Sequence, residues 1–228
     1  MRLSIILCVL IFCSCATQKT DTMNEDGFIH LALGDSYTIG EAVNIDERWP
    51  VQLANRLRAD SIKIDPVIVA TTGWTTDELQ AGIVKADVEG TYDFVSLLIG
   101  VNNQYRGYPV EQYEKEFKSL LDQAIQFAGG NPYNVMVVSI PDYGVTPFAK
   151  KKLLDEEKIA RELDNYNAIA EKISKLRDVK FIDITPGSRK AKDDASLIAS
   201  DGLHPSGKMY EMWVDQMYDH VFNNLSSR

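Results

Sequence analysis

The chain has 228 residues, which suits one substantial domain and is short for two. Hydrophobic residues make up 45% of the sequence and charged residues 25%, which is the balance of an ordinary globular protein. The formal net charge of −9 argues against a nucleic-acid-binding protein, because phosphate contacts need clustered lysine and arginine side chains.

The first residues have the pattern of an export signal. Arg2 supplies a positive charge, and the apolar stretch 3–12 that follows is shorter than the roughly 20 residues of a membrane span. All three cysteines, Cys8, Cys13 and Cys15, lie in this part of the chain. The sequence after Cys15 therefore has no disulfide and no thiol chemistry.

Cys15 follows the apolar stretch and the small residue Ser14. This resembles the lipobox of bacterial lipoproteins, in which the cysteine is acylated and becomes the new N-terminus. Phe12 stands where leucine is usual, and an ordinary cleaved signal is the alternative. We expect a signal over 1–15, a polar tether over 16–27 and one folded domain over 28–228. The expected location is the bacterial periplasm or outer surface, with membrane contact only through a lipid on Cys15.

Strand-like and helix-like segments alternate after the tether. We predict strands at 28–33, 67–70, 94–99, 135–140 and 181–184, and helices at 49–58, 75–85, 109–127, 150–176 and 206–224. The basic run 150–152 is interpreted as the solvated start of its helix. Five strands alternating with helices predict an α/β fold, with a parallel sheet covered on both faces.

Ligands of such folds bind at the carboxyl ends of the strands. Small and polar residues follow each of the first four predicted strands, and another set precedes the last helix. They are Gly-Asp-Ser at 34–36, Thr-Thr-Gly-Trp at 71–74, Gly-Val-Asn-Asn at 100–103, Pro-Asp-Tyr-Gly at 141–144 and Asp-Gly-Leu-His-Pro at 201–205.

Only one of the three histidines stands among these segments. His30 lies inside the first predicted strand and is expected to pack there, and His220 is expected at the surface of the last helix. His204 lies in a loop, three residues after Asp201. A serine nucleophile such as Ser36 needs a base, and the base needs a partner that fixes its tautomer. The alternative is that Asp201 caps a turn and His204 begins a helix.

Candidates for an oxyanion hole also follow the strands. They are the backbone N–H of Ser36, the backbone N–H of Gly73 and the side-chain amide of Asn102. Gly73 could equally form a plain turn, and Asn102 could be an Asx-turn residue.

Four of these segments together resemble the sequence blocks of the SGNH (GDSL-type) hydrolases. They are GDSYTIG, TTGWTT, GVNNQYRG and DGLHP, in the family's order over residues 34–205. The resemblance implies a flavodoxin-like three-layer α/β/α sandwich with a five-stranded parallel sheet. It also implies ester hydrolysis through an acyl-serine, without a metal or cofactor. In that case Ser36 is the nucleophile, His204 the base and Asp201 its partner, with Ser36, Gly73 and Asn102 as oxyanion donors.

One residue departs from the family pattern. Asn103 stands where the family usually has aspartate, which puts in doubt the hydrogen bonding that holds this loop. Asn102 is kept, and asparagine at 103 can still accept one hydrogen bond, so we expect activity to remain.

The substrate is the least determined feature. Tyr105 and Tyr143, with Tyr108 and Phe148, lie on loops near the strand ends, where they could line an acyl or sugar site or simply pack. O-acetyl carbohydrates and lysophospholipid-type esters are the expected substrate classes. The alternatives are a catalytically silent carbohydrate- or lipid-binding module and an acyltransferase with the same triad.

Overall fold

The computed structural model describes residues 27–228, and the predicted signal and most of the predicted tether lie outside the described residues. The described part contains five parallel strands in the order β2-β1-β3-β4-β5. The strands are β1 (Phe28–Gly34), β2 (Ile64–Ala70), β3 (Phe94–Leu98), β4 (Val135–Val138) and β5 (Lys180–Ile182).

Helices cover both faces of this sheet. They are α1 (Ser36–Ile39), α2 (Trp49–Ala59), α3 (Thr76–Lys85), α4 (Val101–Tyr105), α5 (Val110–Phe127), α6 (Pro147–Lys151), α7 (Glu156–Lys175), α8 (Thr185–Ser188) and α9 (Gly207–Ser226). Helices α2 and α9 pack together, and α5 packs between α3 and α7. This confirms the predicted flavodoxin-like α/β/α sandwich. None of the helices in residues 27–228 has the length and apolar character of a membrane span.

The strand order indicates which edge of the sheet binds ligands, and this edge is called the functional edge below. The chain starts at β1, adds β2 on one side and then crosses to β3 on the other, so the order reverses beside β1. Ligands of open parallel sheets bind at the carboxyl ends of the strands beside such a reversal. β1 starts at Phe28 at the amino edge and ends at Gly34 at this functional edge.

The long helix predicted from about residue 150 begins later than expected. Lys150 and Lys151 form the last turn of the short α6, where cations favour the helix terminus. Leu153 has a left-handed backbone with φ 56°, which interrupts the helix. The Asp155 side chain then accepts the Lys158 N–H at 2.9 Å and caps α7.

The two histidines outside the site have different surroundings. His30 is buried as predicted, with Nε2 2.9 Å from Ser96 Oγ, and its burial lowers the pKa of the imidazole to about 3. The prediction that His220 is a surface residue is wrong. Its ring is half-buried and lies 6.1 Å from the ring of Phe94, because this turn of α9 packs over the start of β3.

Candidate active site

The turn after β1 presents Ser36 at the first position of α1. Asp35 caps this short helix, since its Oδ1 accepts the Tyr37 N–H at 3.0 Å. Only glycine fits at position 34, because a Cβ there would lie 2.5 Å from the Leu98 carbonyl oxygen and would collide with Thr38. The turn is therefore tight, and it holds Ser36 against the end of the neighbouring strand.

Asp35 also has a buried carboxyl, which its role in the turn does not require. Its side chain is fully buried, and Oδ2 has no hydrogen-bond partner among the described residues. Burial raises the pKa of this carboxyl to about 7, although the hydrogen bond from the Tyr37 N–H opposes the rise. The sequence motif identified the turn but gave no signal of this buried carboxyl beneath Ser36.

His204 and Asp201 form a close pair in the loop before α9. Asp201 Oδ2 lies 2.5 Å from His204 Nδ1, and Oδ1 accepts the backbone N–H groups of Leu203 and His204 at 2.9 and 3.0 Å. Burial by itself would raise the pKa of Asp201, but these hydrogen bonds outweigh it and hold the pKa below its ordinary value. The carboxylate is thus kept ionised beside the imidazole.

Ser36 and His204 line one pocket of about 160 Å³ at the carboxyl edge of the sheet. The pocket is lined by Ser36, Tyr37, Thr72, Gly73, Val101, Asn102, Tyr105, Tyr143, Phe148, Leu203 and His204. Within residues 27–228, Ser36 Oγ and the His204 ring are not hydrogen-bonded to each other. Such a bond commonly tightens only when substrate is bound.

The two further candidate oxyanion donors, Gly73 and Asn102, also line this pocket. Gly73 has φ 90°, a left-handed conformation that glycine adopts without strain. Asn102 Nδ2 donates one hydrogen bond to the Trp74 carbonyl oxygen at 2.9 Å, which fixes the orientation of the amide. An amide nitrogen carries two hydrogens, so the second remains available for a ligand in the pocket.

Asn103 is fully buried and replaces the family's aspartate with a complete set of hydrogen bonds. Its Oδ1 accepts the Thr76 N–H at 3.0 Å, and its Nδ2 donates to Thr76 Oγ1 at 2.7 Å. Thr76 Oγ1 in turn donates to Glu116. The hydroxyl's single hydrogen is used by Glu116, so the hydroxyl needs a donor at position 103, which asparagine supplies and an ionised aspartate does not.

Aromatic side chains form the remaining wall of the pocket. The ring of Tyr105 lies 5.9 Å from that of Tyr143 and 6.4 Å from that of Phe148. Tyr143 is buried and donates its hydroxyl to Gln104 Oε1 at 2.9 Å, whereas Tyr105 is half exposed. Tyr108 does not line the pocket. Val101 and Leu203 were missed by the sequence reasoning, although each stands directly beside a recognised motif residue.

Comparison with known proteins identifies the family. The model of the GDSL-like Lipase/Acylhydrolase family matches residues 32–212, which includes every residue of the pocket. The chain therefore belongs to the GDSL-like lipase/acylhydrolase family.

The individual relatives have low sequence identity to this chain. An arylesterase of Vibrio mimicus is 26% identical over 137 residues, and the match covers 60% of this chain and 64% of that protein, just under two thirds of its length. The acetylxylan esterase Axe2 of Geobacillus stearothermophilus has a TM-score of 0.67 at 20% identity, with 86% of this chain and 94% of that chain covered. The esterase EstA of a Pseudoalteromonas species has a TM-score of 0.63 at 18% identity, with 87% and 98% covered. These structures share the fold.

Proposed function

We propose that the protein is a carboxylic ester hydrolase that works through an acyl-serine intermediate on Ser36. The observation that carries the proposal is that Ser36, the Asp201–His204 pair and the two candidate donors Gly73 and Asn102 surround one pocket. These residues come from four separate segments of the chain. Separate structural roles, such as a turn or a helix cap, would not explain why all of them lie around the same pocket.

In the first half of the reaction, His204 accepts the proton of Ser36 as the serine oxygen attacks the ester carbonyl. Asp201 holds Nδ1–H of the imidazole, so that Nε2 is the basic nitrogen, and it stabilises the imidazolium that forms. The backbone N–H groups of Ser36 and Gly73 and the amide of Asn102 receive the developing oxyanion. The alcohol then leaves with the proton from His204.

In the second half, His204 removes a proton from water as the water oxygen attacks the acyl-serine carbonyl. The bond between the acyl carbon and Ser36 Oγ then breaks, the imidazolium returns the proton to Ser36 Oγ, and the acid is released. Each oxyanion donor of this kind contributes about 3–4 kcal/mol of transition-state stabilisation in well-studied hydrolases.

The size of the pocket favours esters with a short acyl group. A cavity of roughly 150 Å³ accommodates a molecule the size of benzene, and this pocket is about 160 Å³. The rings of Tyr105, Tyr143 and Phe148 form an aromatic wall of this pocket. Acetyl esters, including O-acetyl carbohydrates, therefore fit the proposal better than the long acyl chains of lysophospholipids.

The decisive experiment is labelling with a fluorophosphonate probe followed by mapping of the modified peptide. The proposal expects stoichiometric labelling of Ser36 and no labelling of Ser36→Ala. Ser139, which is buried, hydrogen-bonded to Asp183 and Thr185 and not among the residues that line the pocket, offers a matched serine control. Failure of the wild-type protein to react would contradict the proposed activity and favour a binding module.

A panel of p-nitrophenyl esters with acyl chains from C2 to C12, together with acetylated xylan, tests the substrate class. We expect kcat/KM to be highest at C2 and to fall steadily with chain length. A maximum at C8 or longer would contradict the short-acyl proposal without affecting the assignment of Ser36.

We also propose that the chain is exported and acylated on Cys15, on the basis of the lipobox-like sequence before it. Partition of the full chain into Triton X-114 detergent tests this, with Cys15→Ser expected to remain in the aqueous phase. Equal partition of the two proteins would contradict acylation at that residue.

A further inference from the structure

Side chains of α4 and of Arg106, the residue that ends it, hold the backbone of the loop that leads into α3. Asn102 and Asn103 make two of these hydrogen bonds, as described above. The third comes from Arg106, which ends α4 and donates from Nη2 to the carbonyl oxygen of Gly73 at 2.6 Å. The loop is therefore held by three nearby residues of one short helix and its terminus.

Arg106 is itself held in place by the first turn of α3. Its Nη1 donates to Glu78 Oε1 at 3.0 Å, while Glu78 Oε2 accepts the Thr75 N–H at 2.9 Å. The hydrogen bond from Arg106 lowers the pKa of Glu78, so the pair stays charged. The guanidinium thus connects the Gly73 carbonyl to the capped end of α3 and cannot rotate freely.

Few side chains pack against Gly73. If Gly73 carried a Cβ, one heavy atom outside the neighbouring residues of the chain would lie within 4 Å of it. That atom is Arg106 Nη2, at 3.7 Å. Glycine has the largest conformational freedom of any residue, so the peptide that follows Gly73 depends on its hydrogen bonds. The Trp74 N–H of this peptide donates to the Thr71 carbonyl oxygen at 3.2 Å, and the Gly73 carbonyl oxygen accepts from Arg106. An oxyanion donor must be aimed before the reaction begins, since its benefit comes from not having to reorganise.

We infer that Arg106 is a positioning residue that holds the Gly73 backbone in the conformation in which its N–H points into the pocket. This inference rests on the proposed function, because it assigns Arg106 a part in the same reaction. Arg106 acts through Gly73 and does not line the pocket. A misplacement of about 1 Å at a catalytic group can reduce the rate roughly 10²-fold.

The test compares Arg106→Ala and Arg106→Lys with the matched control Arg177→Ala. Arg177 makes a similar half-exposed ion pair with Asp122, at 2.6 Å, but it lies shortly before β5 at the amino edge of the sheet. With p-nitrophenyl acetate, we expect Arg106→Ala to lower kcat roughly 10- to 100-fold, with KM nearly unchanged. Arg177→Ala should retain the wild-type kcat.

Arg106→Lys should give an intermediate kcat, because one ammonium cannot reproduce the fork that binds Gly73 and Glu78 together. The affinity for a boronic acid that mimics the tetrahedral intermediate should fall by the same factor as kcat. Thermal unfolding of each variant separates this effect from loss of the fold. Should Arg106→Ala not fold, Arg106→Lys and Glu78→Gln provide the same comparison, since glutamine still accepts the Thr75 N–H.

An increase in KM at unchanged kcat would overturn the inference, because it would make Arg106 a substrate-binding residue. An unchanged kcat and boronate affinity in Arg106→Ala, with Ser36 still labelled by fluorophosphonate, would also overturn it while leaving the proposed function intact. Absence of labelling in the wild-type protein would instead remove the proposed function on which the inference depends.

Discussion

Asp201 binds His204 through both of its carboxylate oxygens. Oδ2 lies 2.5 Å from the ring Nδ1, and Oδ1 accepts the backbone N–H of His204 at 3.0 Å. The backbone hydrogen bond fixes the carboxylate independently of the imidazole. The carboxylate therefore does not need the charge on His204 to stay in place, and it can orient the neutral ring before reaction.

Replacement of Asp201 by asparagine should lower kcat by roughly 10² to 10⁴-fold, because an amide no longer selects the tautomer with Nδ1–H. Steady-state hydrolysis of p-nitrophenyl acetate measures the effect. Asp194→Asn is a suitable control, since Asp194 also caps a turn in this part of the chain, accepting the Ser196 N–H at 3.0 Å, but makes no contact with His204. Equal activities of the two variants would show that Asp201 only shapes the loop.

The rate of hydrolysis should fall on the acid side, because a protonated imidazole cannot accept the proton of Ser36. The hydrogen bonds that Asp201 accepts hold the pKa of its carboxyl below the ordinary value. Protonation of Asp201 should therefore occur at a lower pH than the fall in the rate of hydrolysis. Measurement of kcat/KM from about pH 5 to pH 9, with the fold followed by circular dichroism, checks this expectation. A flat profile between about pH 5 and pH 8 would count against His204 as the base.

Asn103→Asp restores the residue usual in the family, yet we expect it to destabilise this protein by about 1–3 kcal/mol. The Thr76 hydroxyl donates to Glu116 and would lose its donor from position 103, so two carboxylates would compete for one hydrogen. Urea unfolding at neutral pH measures the change.

Glu116→Gln provides the matched rescue for Asn103→Asp. With glutamine at 116, the Thr76 hydroxyl can donate to the introduced carboxylate at position 103 and accept from the glutamine amide. The double variant should recover most of the lost stability, whereas simple additivity of the two single changes would show that they are not coupled through Thr76.

Buried His30 should make the protein acid-sensitive. Its pKa is lowered from 6.5 to about 3 by burial, so between these values the unfolded chain binds a proton that the folded protein does not. Stability then rises with pH across this window, by up to about 1.4 kcal/mol per unit, and is lost on acidification below about pH 6.5. His30→Gln has no such titration, and its unfolding free energy should change less steeply between about pH 6 and pH 4. Identical slopes would show that other groups dominate.

The sequence was most informative where the chain alternates between strand and helix. Parallel strands have their carboxyl ends at one edge, so predicting the strands was enough to place Ser36, Gly73 and Asn102 near one another. The structure also confirms the predicted start of the last helix near residue 206, because the Ser206 hydroxyl caps α9 by accepting the Met209 N–H at 3.3 Å. The roles of these site residues remain proposals.

Features that depend on tertiary contacts were not predictable. The half-buried position of His220 depends on its contact with the ring of Phe94, a residue distant in the sequence, which no local pattern records. Short helices such as α1 and α4 have too few residues to show periodicity. The left-handed residue Leu153 gave no compositional signal, since glycine is the residue expected there.

The seven residues of β1 separate its two ends by roughly 20 Å, at about 3.3 Å per residue step. Under the proposed acylation of Cys15, the segment 16–27 would join the lipid to the amino edge of the sheet, opposite the edge that carries the pocket. The proposed lipid and the proposed catalytic serine would then be attached to opposite ends of the same strand, so that anchoring would leave the mouth of the pocket unobstructed.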